Sequence, residues 1–388
     1  MKPLSNTKVL DFTRVLSGPY CTAMLADIGA DVIKIEPPAG DDYRHIGPFL
    51  EDGKSSLFET VNRGKRSVVL DLSLDTDRRL ALKLAADADV VVENFRPGVA
   101  AKLGIGYEAL AIINPKLIYA SISGFGQTGP MAQRPAYDII VQAMSGIMSV
   151  TGEADGPPTL IGESVADVVS GLYASWAIMA GLNQRHATGL GQHLDVSMLN
   201  SMLALQPLVA ARLFASGKAP KRVGNRHPIS APFGAFKAQD GMFMLAVLND
   251  KLMKALAAVI SEPSIISDPL FATDELRFQN EGALRAHIEN WSRQRSAHEA
   301  VELLLAAGVP AAEVLDAKQA NALVGNTAPQ GQPVKFSAAV NAPLAPAPKL
   351  DEHGLSIREF SWKTKCLVLM LNFSIPLWSI PLLIFAKP

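Results

Sequence analysis

The sequence predicts an α/β fold, with a large domain built on a Rossmann-like parallel sheet and a smaller α+β domain after it. Two observations carry that expectation. Short apolar runs over 8–12, 31–36, 67–72, 89–93 and 117–123 alternate with helical windows such as 20–28 and 76–86. Strands that are apolar throughout, separated by helices, belong to a parallel sheet covered on both faces. Further on, 234–247 reads as a hairpin turning at Gln239-Asp240-Gly241 and is followed by helical stretches, the pattern of a second layer system. A chain of 388 residues, 48% hydrophobic and 19% charged, has length enough for two or three domains with buried cores.

The elements follow in order. The runs over 8–12 and 31–36, with the helix over 20–28 between them, make a first βαβ unit, and the second strand closes on Glu36. From 136 to 184 the pattern is helical and rich in Ala, Gly and Ser; a polar break at 186–192 precedes a long apolar helical run over 196–214. Gly, Pro and basic residues crowd 217–232, marking a linker or a functional loop. Helices are expected over 250–260, 280–293 and 297–307, and the Pro- and Ala-rich 325–348 reads as an extended connector. The domains expected are a large α/β unit over 1–215, a linker over 216–232, a small α+β domain over 233–322, a return to the large domain over 323–360, and an apolar tail over 361–388.

Composition removes several classes of function. Lys+Arg 36 against Asp+Glu 37 gives a net charge of −1, without the basic face or tail that nucleic acid binding uses. Cys21 and Cys366 stand in no CxxC and near no Cys/His cluster, which argues against a disulfide framework and a structural metal. The start, MKPLSNTKVLDF, has no apolar signal core, so a cytoplasmic location is expected. Residues 366–386 carry no charge and reach the length of about 20 residues that spans a bilayer, but Pro376 and Pro381 break the segment. A membrane partner is disfavoured, with the tail as the one feature in its favour.

Three places concentrate chemistry. Ser17-Gly18-Pro19 opens the first helix with a single Gly, too few for a dinucleotide fingerprint, so Glu36 reads as a surface or loop-anchoring carboxylate and not as a ribose ligand. Glu93-Asn94-Phe95-Arg96-Pro97-Gly98, with Lys102 beyond, follows a parallel strand, where ligands of such sheets bind. Phe95 suits an aromatic base and the cations suit phosphates; the plain alternative is a turn with two solvated cations. Asp167, between Ala166 and Val168, opens a helix, where it is either an N-cap or a nucleophile that helix amides keep ionised. No G-x-S-x-G, HExxH or Walker sequence is present, and the seven His are scattered without metal-ligand spacing.

Taken in order, VLDFTRVLSGPYCTAMLADIGADVIKIEPPAGD (9–41), NRGKRSVVLDL (62–72), VVENFRPG (91–98), SISGFGQTGP (121–130), RPAYD (134–138), GESVADVVSGLYA (162–174) and TGLGQHLDVSM (188–198) resemble the class III CoA-transferases, the family of formyl-CoA and carnitine CoA-transferases. AAGVPAAEVL (306–315) and PVKFS (333–337) extend the match more weakly. The resemblance implies that Asp167 is the nucleophile, acylated by an acyl-CoA thioester and then carrying CoA as a thioester. It implies CoA contacts at Val15, Leu70, Asn94, Phe95 and Lys102, with Arg96 and Arg134 as further phosphate ligands. Leu16, Tyr137, Gly224 and Asn225 would shape the substrate pocket, and amides of the loop from Gly224 to Ala231 would hold oxyanions. Coenzyme A as a substrate, and no metal or redox cofactor, is what the chemistry implies.

Formyl-CoA transferase has Gln where this chain has Leu16, and its multi-glycine loop has no literal copy in GNRHPISAPFG, which argues against an oxalate-type pocket. The related alpha-methylacyl-CoA racemases carry His where this chain has Tyr137, so transfer is preferred over racemisation. A non-catalytic CoA-binding homologue is a third class, opposed by the intact Asp167. The resemblance also implies a homodimer of interlaced chains, each large domain drawing on both termini.

Overall fold

The structure, a computed structural model, describes residues 2–325, 333–339 and 345–363. Residues 364–388 of the expected apolar tail, Cys366 among them, and much of the expected 325–348 connector lie outside the described residues. The chain divides into two compact units.

The first unit comprises Met1–Ser145, Gly162–Pro207 and the described residues after Pro329. Its sheet has six strands: β1 (Lys8–Asp11), β2 (Asp31–Glu36), β3 (Arg66–Val69), β4 (Val90–Glu93), β5 (Ile118–Ser123) and β6 (Gln192–Ser197). Their order is β3-β2-β1-β4-β5-β6 and every pairing is parallel. This is a doubly wound sheet whose topology switches between β1 and β4, and the crevice beyond the carboxyl ends of those two strands is where such sheets bind ligands. One face packs Leu10, Ile33, Val68, Val91 and Tyr119 against Leu84, Leu110 and Trp362.

The other face takes the first helix, Ser17–Asp27, and the long helix Val165–Thr188. These two helices approach closely at Gly171, where a Cβ would stand 2.6 Å from the Ser17 carbonyl oxygen. That contact sets Asp167, one turn earlier, beside the start of the first helix.

Strands β1 to β5 fall on the apolar runs of the sequence; β6 does not. Gln192–Ser197 occupies the polar break and the first residues of the expected 196–214 helix. As an edge strand it has only a half-buried outer portion, so Gln192, His193 and Asp195 give it none of the apolar signature of its neighbours. The apolar run after it is two helices, Met198–Ala204 and Pro207–Ser216, because Pro207 cannot donate to the preceding turn. Likewise 136–184 is divided into Asp138–Met144, Ile147–Val150 and Val165–Thr188 by the Gly- and Pro-containing stretch between the last two.

The second unit comprises Gly146–Ile161 and Leu208–Ala328. The sequence had assigned residues 146–161 to the large domain. Here β7 (Phe233–Lys237), β8 (Met242–Ala246) and β9 (Ala311–Glu313) form an antiparallel sheet in the order β7-β8-β9. The hairpin turns as expected, with the Ala238 amide donating to the Gly241 carbonyl at 2.9 Å. Helices Asp250–Val259, Glu281–Ser292 and Ala297–Ala306 contribute Leu256, Leu284 and Leu304 to a core with Phe236 and Phe243.

Candidate active site

The turn after β1 is held from beneath by charge. Asp11, completely buried, accepts from the Thr13 amide at 2.8 Å, the Thr22 hydroxyl at 2.7 Å and Lys65 Nζ at 2.9 Å. Lys34, equally buried, donates to the Thr13 carbonyl and to Asp41 Oδ2, both at 2.8 Å. Asp41 Oδ1 in turn accepts the Val15 amide at 3.1 Å. Val15 has φ +68°, a left-handed conformation costly for a β-branched residue, and this ion pair pins the amide that conformation presents.

Burial alone would raise Asp11, Asp41 and Glu36. Lys65 and Lys34 beside Asp11, Lys34 beside Asp41, and Arg44 with Lys34 beside Glu36 overcome it and hold all three below the ordinary carboxylate range. Glu36 is accordingly a buried loop anchor, accepting from Arg44 Nε and the Asp41 amide at 2.7 and 3.1 Å.

Asn94, beyond β4, secures the turn from the other side. Its Oδ1 accepts the Arg14 amide at 2.9 Å, while its Nδ2 donates to the Arg14 carbonyl at 2.8 Å and the Ser17 hydroxyl at 3.3 Å. Glu93 accepts the Phe95 amide at 2.8 Å and so fixes the loop that carries the aromatic ring. Burial pushes the Glu93 carboxyl up to about 7, against the opposing hydrogen bonds of Ser121 and Phe95.

Opposite chemistry surrounds Asp167. At Gly124 a Cβ would fall 2.3 Å from Ala136 Cβ, so the bare glycine lets the 134–138 segment cross the end of β5. Asp138 then reaches the amino end of the long helix, where Oδ1 accepts the Ala166 amide at 2.7 Å and the Asp167 amide at 3.3 Å. Asp138 thus satisfies the helix start that Asp167 was expected either to cap or to exploit. The Asp167 carboxyl, half-buried, is left free of that structural duty. Burial first, and then the Asp138 charge, push it up to about 7, with a hydrogen bond from Ser17 working the other way. The expectation that helix amides keep Asp167 firmly ionised is therefore corrected: those amides belong to Asp138, whose negative charge opposes ionisation.

An open cleft of ≈350 Å³ joins these parts, and its walls include Val15, Leu16, Asn94 and Phe95 on one side. Asp167, Tyr137, Arg96 and Arg134 line it as well, together with Arg14 and Ser123. A neighbouring, more apolar cleft of ≈230 Å³ takes Leu70, Leu72 and Leu103, and shares Arg14 and Phe95 with the first. Lys102 ends the short helix Val99–Lys102, exposed and lining neither cleft. Gly224 and Asn225 lie in the second unit, where the Gly224 amide donates to the Gly152 carbonyl at 3.2 Å and Asn225 lines a separate cleft with Asp240 and Met244.

The sequence left Arg14, Ser17, Ser123 and Asp138 of this site unassigned, and Ser17 and Asp138 bear directly on Asp167. Their only local signals were the Ser-Gly-Pro helix start and the Asp that follows Tyr137. Among the described residues no group of His, Cys, Asp and Glu is set to hold a metal ion. The arrangement suits an anionic ligand with an aromatic end: ring and leucines for the aromatic part, guanidinium groups for phosphate or carboxylate, and one carboxyl poised near neutrality.

A sequence model of CoA-transferase family III matches residues 4–354. The chain is 47% identical to acetyl-CoA:oxalate CoA-transferase of Acetobacter aceti, covering 92% of this chain and 95% of that protein. It is 38% identical to succinyl-CoA:mesaconate CoA-transferase of Haloarcula hispanica, over 91% and 95% of the two chains. Among solved structures, a CAIB/BAIF family protein from Brucella suis superposes with a TM-score of 0.82 at 39% identity, covering 92% of this chain and 99% of the other.

Proposed function

The chain belongs to CoA-transferase family III and is an enzyme that transfers CoA between an acyl-CoA and a carboxylic acid; on that premise we propose that Asp167 carries the transfer covalently. The Asp167 carboxylate attacks the thioester carbonyl, the C–S bond breaks, and an acyl-aspartyl anhydride and CoA thiolate result. The thiolate attacks the aspartyl carbonyl and releases the donor acid as its carboxylate, leaving an aspartyl-CoA thioester. The acceptor carboxylate attacks that thioester to form a second anhydride, and the returning thiolate takes the acceptor acyl group, restoring Asp167.

The observation that carries this reading is the Asp167 carboxyl itself, half-buried in a cleft, pushed to about 7 by burial and Asp138, and relieved of capping. A weakly solvated carboxylate is the more reactive nucleophile, and its anhydride needs protection from water. Leu70 and Phe95 hold the adenine end of CoA, Arg96 and Arg134 its phosphates, and the turn at Val15 and Leu16 lies along the pantetheine. Lys102 contributes at most a long-range charge from outside both clefts.

The acids proposed carry a second carboxylate. The relatives above are named for oxalate and mesaconate, both diacids, and three arginines line the cleft of this chain. The A. aceti relative's name pairs acetyl-CoA with the acid against which Leu16 had argued. Racemisation is the weaker alternative, because Tyr137, in the position where those enzymes carry the proton-moving His, supplies no comparable base.

The working form proposed is a cytoplasmic homodimer of interlaced chains. Leu172, Trp176 and Met179 make an exposed apolar stripe along the long helix, Trp176 being 69% exposed, and a second copy is the occupant that would cover it. The deciding experiment incubates purified protein with acyl-CoA, traps with hydroxylamine, and maps the modified peptide. The expected adduct is on Asp167; turnover without any adduct there refutes the covalent route.

A further inference from the structure

One buried group in the cleft has no structural use. Ser123 ends β5 with 7% of its surface exposed, and its hydroxyl meets no hydrogen-bond partner among the described residues. Ser121, two residues earlier and on the same strand face, is fully engaged: its Oγ lies 2.9 Å from His193 Nε2, and it hydrogen-bonds the Glu93 carboxyl. A buried hydroxyl without a partner costs stability, so an orphan in a native fold calls for a ligand, a water or a catalytic duty.

Its position selects among these. Ser123 lines the same cleft as Asp167, at the carboxyl end of an interior parallel strand, next to the Gly124 crossing that brings in Tyr137. Attack on a carbonyl needs a donor for the oxygen that gains charge. The Ala166 and Asp167 amides are already spent on Asp138, and the Val15 amide on Asp41. Ser123 supplies a neutral donor that no other described residue engages.

We propose that Ser123 contacts the substrate, its hydroxyl donating to the carbonyl oxygen of the acyl group that Asp167 attacks. The O–H bond stays intact throughout. The hydrogen bond strengthens as the tetrahedral oxyanion forms and relaxes when the carbonyl re-forms. This role rests on the covalent reading of Asp167.

The test compares Ser123→Ala and Ser123→Thr with the unaltered enzyme by steady-state kinetics, thermal unfolding and hydroxylamine trapping. For Ser123→Ala a fall in kcat of roughly 10- to 100-fold is expected, with KM for acyl-CoA within about twofold. Its melting temperature should be unchanged or higher, because deletion of an unpaired buried hydroxyl removes a cost. Ser123→Thr, which keeps the hydroxyl, should recover most of the rate. Full kcat in Ser123→Ala overturns the role, as does a loss of activity that follows a loss of thermal stability. If Ser123→Ala works at full rate while the unaltered enzyme shows the Asp167 adduct, only the Ser123 role fails. If the unaltered enzyme never shows that adduct, the Asp167 reading fails and takes this one with it.

Discussion

Two groups of buried carboxylates in the first unit have opposite electrostatic fates. Asp11, Glu36 and Asp41, beneath the Thr13–Ser17 turn, each face a cation, respectively Lys65, Arg44 and Lys34, at 2.7–2.9 Å. Asp138 and Asp167, at the start of the long helix, repel each other's charge, and among the described residues no ion pair compensates them. The first group is pulled below the carboxylate range and the second group's Asp167 is pushed up to about 7. The difference teaches how one fold separates framework from reagent. The charges paired with cations fix backbone geometry, and the Asp167 carboxyl, relieved of capping by Asp138, retains free energy that chemistry can use.

The largest effect expected is on chemistry alone. Asp167→Ala should lower transfer by about 10³-fold or more, followed as new CoA ester by mass, with CoA binding by calorimetry nearly intact. Retention of transfer would erase the distinction between the two groups. The framework side should break differently. Lys34→Met leaves Asp41 buried without its cation and should cost about 3–5 kcal/mol of unfolding free energy in a urea titration. A stable Lys34→Met protein would mean the pair does not hold the Val15 turn. Between the groups, Phe95→Ala should raise KM for acyl-CoA roughly tenfold through loss of one aromatic contact while kcat changes little.

The pH dependence sharpens the contrast. Asp167 must be ionised to attack, so kcat/KM should rise with pH through a midpoint near 7. Asp138→Asn keeps an acceptor for the helix amides and removes the repelling charge, so the midpoint should move to lower pH; a stationary midpoint would show that Asp138 does not set it. Stability should respond with opposite signs. Asp167 holds its proton more tightly folded than unfolded, so its contribution is full below about pH 4 and is lost as pH rises through 7. Asp11, Glu36 and Asp41 hold theirs less tightly, so their contribution is present above about pH 4 and lost as pH falls below it. Asp167→Asn should therefore exceed the natural chain in stability at pH 8 by on the order of 1 kcal/mol, a gap that closes on acidification. A gap that widened in acid would reverse the assignment.

Legibility differed between the same two sides. The turn after β1, Asn94, Phe95 and Asp167 were visible because they punctuate apolar strands or fall in motif blocks, and periodicity is a property of neighbours in the chain. Strand β6 was hidden because an edge strand need not be apolar on both faces, and β9 because three residues carry no period. Asp138 was hidden because its role is to cap a helix that begins well beyond it in the sequence.

By itself the sequence determined the α/β class, five of the six parallel strands, the hairpin of the second unit and the residue types available for acyl transfer, since each follows from local pattern and composition. Only the tertiary structure decided which carboxylates are paired with cations, that those of Asp167 and Glu93 are pushed up to about 7, that Glu36 is an anchor, and that the Ser123 hydroxyl meets no partner among the described residues. Those properties are set by dielectric burial and by charges brought within a few ångströms from distant parts of the chain, and no local pattern encodes such distances.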